Sequence, residues 1–209
     1  MKRAGRARRF AIRDLCPPDT LIIDVGADHG HVAHALGGIA TERMPQRSGR
    51  TDVDWVIADG LLPFRDVPCA VIAGMGAETI VRILDNGPRP SVAILHAQDD
   101  PPKLRRMLAT RGWRIDAEAL APEARRYAEV LRVVPGDEPS SGFTLEFGPR
   151  LLADGHPLLH DHLQQLCGHY GRIAKQTKGS ATDAHSLAMA RLAFLQKKLT
   201  DMGVDTQDS

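Results

Sequence analysis

The sequence is poor in cysteine and has no long apolar run. Its 209 residues include three cysteines, and these lie far apart. An odd number of widely separated cysteines argues against a disulfide framework and against a Cys-x-x-Cys zinc site. No apolar run approaches the length of a membrane span, and the arginine-rich start lacks the apolar core of a signal peptide. These absences predict a cytoplasmic protein that is not inserted in a membrane.

Acidic residues are missing from the start of the chain, where none precedes Asp14. The basic residues of this segment are Lys2, Arg3, Arg6, Arg8, Arg9 and Arg13. A cluster of this kind binds a phosphate backbone by releasing its counterions. The segment therefore predicts either a nucleic-acid contact or a frayed, solvated terminus.

A glycine-punctuated turn follows the first apolar run and is the most informative feature present. Residues 21–23 have the pattern of a buried parallel strand, Asp24 stands at its carboxyl end, and Gly26 and Gly30 allow the backbone to lie close to a ligand. A dinucleotide-binding fingerprint has a glycine where Asp28 stands. The D-x-G-x-D-x-G spacing instead suits S-adenosylmethionine, whose positively charged amino acid end is favoured beside carboxylates. The alternative is an ordinary strand-turn-helix connection.

Strand and helix patterns alternate along the following hundred residues. The predicted strands are 21–23, 39–41, 53–58, 69–73, 92–96, 114–120 and 127–134, and the predicted helices are 31–36, 79–84 and 99–111. This order, with an antiparallel pair of strands at the end, predicts an α/β fold with the doubly wound, Rossmann-like sheet of class I methyltransferases. Ligands of such sheets bind at the carboxyl ends of the strands.

Polar residues and glycines stand at three more of these strand ends. Glu42 follows the second strand, where an acid often binds a ribose hydroxyl. Asp59 and Gly60 follow the third strand, and an acid there can accept a hydrogen bond from an adenine amino group. The alternatives are a surface glutamate and a turn aspartate. The run 74–76, Gly-Met-Gly, follows the fourth strand and permits close backbone approach beside a helix N-terminus.

Two groups of histidines invite comparison with metal sites. They are His29, His31 and His34 at the turn, and His156, His160 and His162 farther along the chain. Neither group has a convincing carboxylate or thiol companion, so we predict no metal site. His31 remains a candidate substrate contact.

The end of the chain has a different pattern from the rest. Apolar residues recur with 4-3-4-3 spacing over 159–173 and again over 188–202. This spacing predicts two helices in an antiparallel, coiled-coil hairpin that either packs on the preceding domain or binds a partner. We therefore divide the chain into a cofactor-binding domain, 1–150, and a helical hairpin, 151–209.

Several motifs in this sequence resemble those of the bacterial tRNA adenine-N1 methyltransferase family called TrmK. They are DVGADHG (24–30), ADGL (58–61), IAGMGAETI (72–80), LRRMLATRGWRI (104–115) and EFGPRLL (146–152). The DHG turn and the AGMG pairing are more specific than a generic methyltransferase glycine loop. The resemblance runs from about residue 24 to residue 152, and the helical tail is also similar.

The resemblance implies transfer of a methyl group from S-adenosylmethionine to N1 of an adenine in tRNA. It implies that Asp24, Gly26 and Gly30 bind the methionine part, Glu42 the ribose and Asp59 the adenine. It also implies contributions from residues near the reacting centre and the target base. These residues are Gly74, Met75 and Gly76 at the centre, and Asp28, His29 and His31 near the base. The tail and the basic N-terminus would bind tRNA.

The chain departs from the family pattern in several places. The family usually has tyrosine where His31 stands, leucine-proline at 32–33 and a second glycine where Ala77 stands. The family usually has Gln-Pro-Asn where residues 96–98 read His-Ala-Gln, at a strand tip that we expect to face the substrate. The family also has a helix between the second and third strands, where 44–52 is predicted to be a loop. Loss of that helix would expose apolar sheet surface, which predicts a homodimer or a shallow cofactor pocket.

These departures leave other functions open beside the tRNA methyltransferase. One is a noncatalytic methyltransferase scaffold that binds RNA or a protein partner. Another is a methyltransferase with a different RNA or small-molecule substrate.

Overall fold

The computed structural model describes residues 4–44, 51–124, 126–179 and 183–203. The chain divides into two compact units, 1–154 and 155–209. No described helix combines the length and the apolar composition that a membrane crossing needs.

The first unit contains a seven-stranded mixed sheet. Its strands are β1 (Ile22–Val25), β2 (Ile39–Glu42), β3 (Asp54–Ile57), β4 (Cys69–Met75), β5 (Val92–Ala97), β6 (Trp113–Glu123) and β7 (Arg126–Pro135). Their spatial order is β3-β2-β1-β4-β5-β7-β6. Strands β1 to β5 are parallel, and β7 runs antiparallel to both β5 and β6. The doubly wound sheet with an antiparallel pair at its edge is therefore confirmed.

Eight helices accompany the sheet in the described part of the chain. In the first unit they are α1 (Ala4–Leu15), α2 (His31–Leu36), α3 (Ala77–Asn86), α4 (Pro101–Ala109), α5 (Gly142–Glu146) and α6 (Pro149–Asp154). The second unit contains α7 (Leu159–Thr177) and α8 (Ala184–Asp201), which pack against each other. The two predicted tail helices are thus present, and their coiled-coil geometry stays a prediction.

The core lies on both faces of the sheet because neighbouring strand residues point to opposite sides. On one face, Ile23 of β1 belongs to an apolar cluster with Ile80 of α3 and Leu104 of α4. On the other face, the preceding residue, Ile22, belongs to a cluster with Ile12 of α1. The sheet is therefore the middle layer between two layers of helices.

The basic N-terminal segment is a packed helix over the described residues 4–15, so the expectation of a frayed terminus is wrong there. Ile12 is 1% exposed. Arg8 lies on the same side of α1, where its Nη1 donates to Glu123 Oε1 of β6 at 2.6 Å. The helix is amphipathic, and its dense arginines conceal the apolar stripe in the sequence. Lys2 and Arg3 lie outside the described residues.

The connection from β2 to β3 is short. Its described residues, 43–44 and 51–53, form no helix, and 45–50 lie outside the described part, as does most of the predicted loop 44–52. Strand β3 is an edge strand of the sheet, and its Ile57 is 66% exposed. Apolar surface is therefore accessible at this edge.

A buried ion cluster supports the far side of the sheet. The Arg105 side chain is fully buried, with Nη2 2.6 Å from Glu118 Oε1 and Nη1 2.7 Å from Glu129 Oε2. Nη1 also donates to the Glu146 carbonyl at 3.0 Å. Glu118 Oε2 in turn accepts from the Arg150 amide at 2.9 Å, near the start of α6. These bonds explain the EFGPRLL motif as a structural element that packs against α4 and β6.

Candidate active site

Asp24 is a buried acid near the end of β1. It is 5% exposed, and its Oδ2 accepts a hydrogen bond from the Ala33 amide of α2 at 3.1 Å. Burial raises the pKa of this carboxyl to about 7, and the neighbouring Glu42 charge adds to the rise, while the Ala33 bond opposes it. A carboxyl of this kind is held close to its titration point at neutral pH.

The turn after β1 is fixed by main-chain bonds to β2. The Gly26 and Ala27 amides both donate to the Thr41 carbonyl, at 2.9 and 3.3 Å. Backbone φ angles are positive at three alternate residues, +65° at Gly26, +49° at Asp28 and +67° at Gly30. Glycine adopts such angles without strain, and aspartate tolerates them better than most residues do. The glycines and the second aspartate of the D-x-G-x-D-x-G pattern thus stand at the residues of this turn that have positive φ angles.

Two side chains from other strands cover the glycines of the turn. A Cβ at Gly26 would lie 2.0 Å from Met75 Cε of β4. A Cβ at Gly30 would lie 2.9 Å from the Trp55 ring of β3. The structure therefore brings the Met75 side chain against Gly26, two residues after Asp24.

Glu42 and the exposed acids and histidines meet on the outer side of this turn. Glu42 Oε1 accepts from the Asp28 amide at 2.9 Å, which fixes the turn to the end of β2. The Asp28 carboxylate lies 3.5 Å from His29 Nε2, and the rings of His29 and His31 have centroids 5.9 Å apart. The side chains of Asp28 and His29 are 69% and 49% exposed. These residues form an accessible polar rim beside the buried Asp24.

Asp59 and Gly60 lie beyond the end of β3, as predicted. Asp59 Oδ2 is 2.7 Å from Arg43 Nη2 and 3.8 Å from Arg82 Nη1. The Gly60 carbonyl accepts a hydrogen bond from Thr41 Oγ1 at 3.4 Å, so this turn is also bonded to β2. The arginines near Asp59 were missed in the sequence because they come from distant segments.

The ends of β4 and β5 form the other wall of the site. Gly74 has φ +80°, and a Cβ there would lie 3.2 Å from the side-chain nitrogen Nε2 of Gln98. Asp99 Oδ1 accepts from the Ala77 amide at 2.9 Å, and a Cβ at Gly76 would lie 2.9 Å from Asp99 Oδ2. The bond from Ala77 holds the pKa of Asp99 below its ordinary value.

Asp99 is a site residue that sequence reasoning missed. The sequence predicts a helix that begins at residue 99. In the structure α4 begins at Pro101, and its cap is Asp100, which accepts from the Lys103 amide at 2.9 Å. Asp99 instead caps α3, which begins 22 residues earlier. No local pattern links the two segments, because they meet only when β4 pairs with β5.

His96 does not face the substrate side, which corrects the expectation for the run 96–98. It is 2% exposed on the α1 side of the sheet. Its Nδ1 lies 3.1 Å from the Glu129 carbonyl and its Nε2 3.3 Å from Arg8 Nη1. Burial lowers the pKa of this imidazole. Of the three residues, Gln98 is the exposed one at the strand tip.

Comparison with known proteins identifies the family. The model of the TrmK family, described as tRNA (adenine(22)-N(1))-methyltransferase, matches residues 38–202. The chain belongs to the TrmK family. The predicted activity, S-adenosylmethionine-dependent methyl transfer to N1 of a tRNA adenine, is the activity of this family, and the resemblance drawn from the motifs is confirmed. No curated protein matches the chain at a significant level.

Solved structures of TrmK proteins share the fold. Bacillus subtilis TrmK, an m1A22 tRNA methyltransferase, has a TM-score of 0.74 at 19% identity, covering 92% of this chain and 97% of its own. Streptococcus pneumoniae Sp1610 in complex with S-adenosyl-L-methionine has a TM-score of 0.77 at 24% identity, covering 92% of this chain and 98% of its own. TrmK from M. capricolum, in complex with S-adenosyl-homocysteine, has a TM-score of 0.73 at 17% identity, covering 92% of this chain and 96% of its own.

Proposed function

We propose that this TrmK protein methylates N1 of adenine 22 in tRNA at the site formed by the carboxyl ends of β1 to β5. The observation that carries the assignment is the buried Asp24 beside a turn with left-handed backbone at Gly26 and Gly30. An acid and close-approaching backbone at this edge of a doubly wound sheet form a cofactor site. The family model supplies the position of the adenine.

The residues present fit S-adenosylmethionine, which supplies the methyl group when bound. Asp24 is buried with a pKa of about 7, so a neighbouring cationic amino group would favour its ionised form. Gly26 and Gly30 have no side chains, so a ligand can approach their backbone closely. Glu42 is placed to accept from ribose hydroxyls, and Asp59 from the adenine amino group.

The run Gly74, Met75 and Gly76 is assigned to the reacting centre. The Met75 side chain lies over Gly26, so it borders both the β1 turn and the β4 tip. Asp99 holds the α3 N-terminus against Gly76 and thereby positions this wall. Asp99 is a positioning residue in this assignment.

The reaction demands alignment more than acid-base chemistry. N1 of adenine carries an unprotonated lone pair at neutral pH, so the protein has to orient the base and has no proton to remove. The methylated ring is cationic, and the exposed carboxylate of Asp28 can stabilise the developing charge. His29 and His31 share the rim with Asp28 and are assigned to contacts with the target base.

The chain's two units have separate tasks in this proposal. The domain predicted at 1–150 binds the cofactor and the target base, and the helical hairpin predicted at 151–209 contributes tRNA contacts. Reaching N1 in a structured tRNA requires the base to leave its pair or stack. Contacts away from the base would hold the tRNA while it does so.

The assembly and the location are further parts of the proposal. The exposed Ile57 at the β3 edge and the exposed Leu62, at 66% and 59%, support a homodimer through this edge. Sedimentation of the wild-type protein at several concentrations tests the dimer, and a monomer at all of them would contradict it. A tRNA substrate supports a cytoplasmic location, which fractionation of expressing cells tests.

Calorimetric titration with S-adenosylmethionine and S-adenosylhomocysteine is the experiment that tests the site. Wild type should bind at micromolar strength, roughly −8 kcal/mol. Asp24→Asn should lose this binding, and Asp66→Asn, which removes an exposed acid outside the site, should keep it. Methyl transfer to unmodified tRNA should depend on adenine 22. If the wild-type protein binds tRNA but does not bind the cofactor, it is instead a noncatalytic RNA-binding member of the family.

A further inference from the structure

The exposed side of α1 carries a basic stripe. Arg6, Arg9, Phe10 and Arg13 have the spacing i, i+3, i+4, i+7, which places them on one face of a helix. The opposite side carries Ile12 and Arg8, which pack on the sheet. The helix therefore divides its arginines between a structural role and a solvent-facing one.

The stripe borders a groove of about 190 Å³ between α1 and α2. Its lining residues are Arg6, Arg9, Phe10, Arg13, His31, Val32, Ala35 and Leu36. The floor is apolar and the α1 wall is cationic. This volume is below the roughly 300 Å³ at which small-molecule pockets begin, so the groove suits a flat group rather than a whole cofactor.

The guanidinium groups of Arg6 and Arg9 in this wall are available to an anion. Within the described residues, no carboxylate pairs with Arg6 or Arg9, and Arg13 is paired with its neighbour Asp14 at 2.8 Å. An array of unpaired arginines attracts phosphates and releases their counterions. The charge of the groove therefore favours a nucleic-acid backbone.

Phe10 gives the groove a second nucleic-acid feature. Its side chain is 40% exposed, and the guanidinium carbons of Arg6 and Arg13 lie 5.4 and 4.9 Å from its ring centroid. Exposed aromatic rings and guanidinium planes are the surfaces on which unpaired bases stack. An exposed aromatic ring with arginines beside it can hold a base while the flanking phosphates are neutralised.

The groove adjoins the proposed active site through His31. His31 lines the groove and is also the first residue of α2, directly after Gly30 of the cofactor turn. Resting on the proposed function, we infer that the groove between α1 and α2 binds the tRNA strand next to the target adenine. Phe10 stacks on an unpaired neighbouring base, and Arg6 and Arg9 neutralise phosphates. Extrusion of the target base leaves such a neighbour without its stacking partner.

The first test measures tRNA affinity with an unmodified tRNA transcript and stacking variants. Phe10→Ala should weaken binding about 5- to 150-fold, the range expected for one lost stacked base. Phe10→Leu should weaken it similarly, and Phe10→Trp should restore it. A structural role for Phe10 as an apolar residue would instead make leucine the better replacement, which would overturn the inference.

The second test measures the salt dependence of binding. The double variant Arg6→Gln/Arg9→Gln should lower the slope of log affinity against log salt concentration by about 1.5. The control is Arg65→Gln/Arg114→Gln, because both of these arginines are exposed and neither lines the groove. Equal slopes for the two double variants would overturn the inference.

Cofactor affinity separates this inference from the proposed function. All of the groove variants should bind S-adenosylmethionine as wild type does, since none of the three residues belongs to the cofactor site. Failure of wild type to bind the cofactor or transfer methyl would refute the proposed function and leave the groove result standing. Normal methyl transfer with unchanged tRNA affinity in the Phe10→Ala variant would refute the groove alone.

Discussion

Asp24→Asn should stabilise the folded protein at neutral and alkaline pH. The carboxyl is 5% exposed, and burial raises its pKa to about 7 in the folded state. Because its pKa is higher in the folded state than in the unfolded state, the folded protein binds this proton more tightly. The protonated Asp24 therefore stabilises the fold at low pH, and this stabilisation is lost as the pH rises toward 7. Asparagine is neutral at every pH, and its Oδ1 can still accept from the Ala33 amide.

The size of the effect follows from the two pKa values. With 3.8 for the unfolded state and about 7 for the folded state, the aspartate's contribution to the free energy of unfolding falls by about 3 kcal/mol between pH 5 and pH 8. The difference in stability between Asp24→Asn and wild type should therefore rise by about that amount over the same interval. Most of the change should occur between pH 5 and pH 7.

Urea unfolding of both proteins at pH 5, 6, 7 and 8 measures this difference. Subtracting the wild-type value at each pH removes the titration of all other groups. Asp66→Asn, at an exposed position, should show no such trend. A difference that stays constant with pH, or an Asp24→Asn variant that is less stable than wild type at pH 8, would refute the burial argument.

Four further substitutions test the β1 turn, the buried ion cluster and the Asp99 cap. Gly26→Ala and Gly37→Ala should each destabilise the protein by about 1–2 kcal/mol, because the φ angles at these positions are +65° and +64°. Only the new Cβ at residue 26 meets Met75, so only Gly26→Ala should also lower cofactor affinity in calorimetry. Arg105→Met should destabilise by about 3–5 kcal/mol in urea unfolding, since it leaves two buried carboxylates uncompensated. Asp99→Ala should cost about 1 kcal/mol as a lost helix cap and lower kcat in the methyl-transfer assay.

Each of these has an outcome that contradicts it. Equal cofactor affinities for the two glycine variants would show that Met75 does not constrain the turn. A stability loss below 1 kcal/mol for Arg105→Met would contradict the buried ion cluster. Wild-type kcat in Asp99→Ala, with the expected loss of stability, would remove Asp99 from the site and leave it a cap of α3.

The sequence predicted the central sheet and the glycine turn after β1 because both depend on local patterns. Residues 21–23 form an apolar run, and the glycines at 26 and 30 stand where the backbone takes positive φ angles. The helix 31–36 was predicted with the bounds observed, since it lies between glycines that cap it. The methyl-transfer activity came from longer motifs that belong to the family.

Features that depend on tertiary contacts were not predictable in this way. Asp99 caps α3 across two paired strands, and Arg43 and Arg82 meet at Asp59 from separate segments. The helix α1 was hidden by its composition, because arginines occur on both its packed and its exposed sides. His96 was expected at the substrate side. The alternation of side chains along β5 places it instead on the face of the sheet that α1 covers.

The bonds that shape the proposed cofactor turn are donated by main-chain amides. Gly26 and Ala27 donate their amides to a carbonyl of β2, and the Asp28 amide donates to Glu42. Side chains at the exposed rim, such as His31, do not take part in these bonds. The rim can therefore change while the turn keeps its shape, because the turn requires glycine at two positions and acids at Asp24 and Glu42. A histidine where the family usually has tyrosine is consistent with altered contacts to RNA on a retained cofactor site.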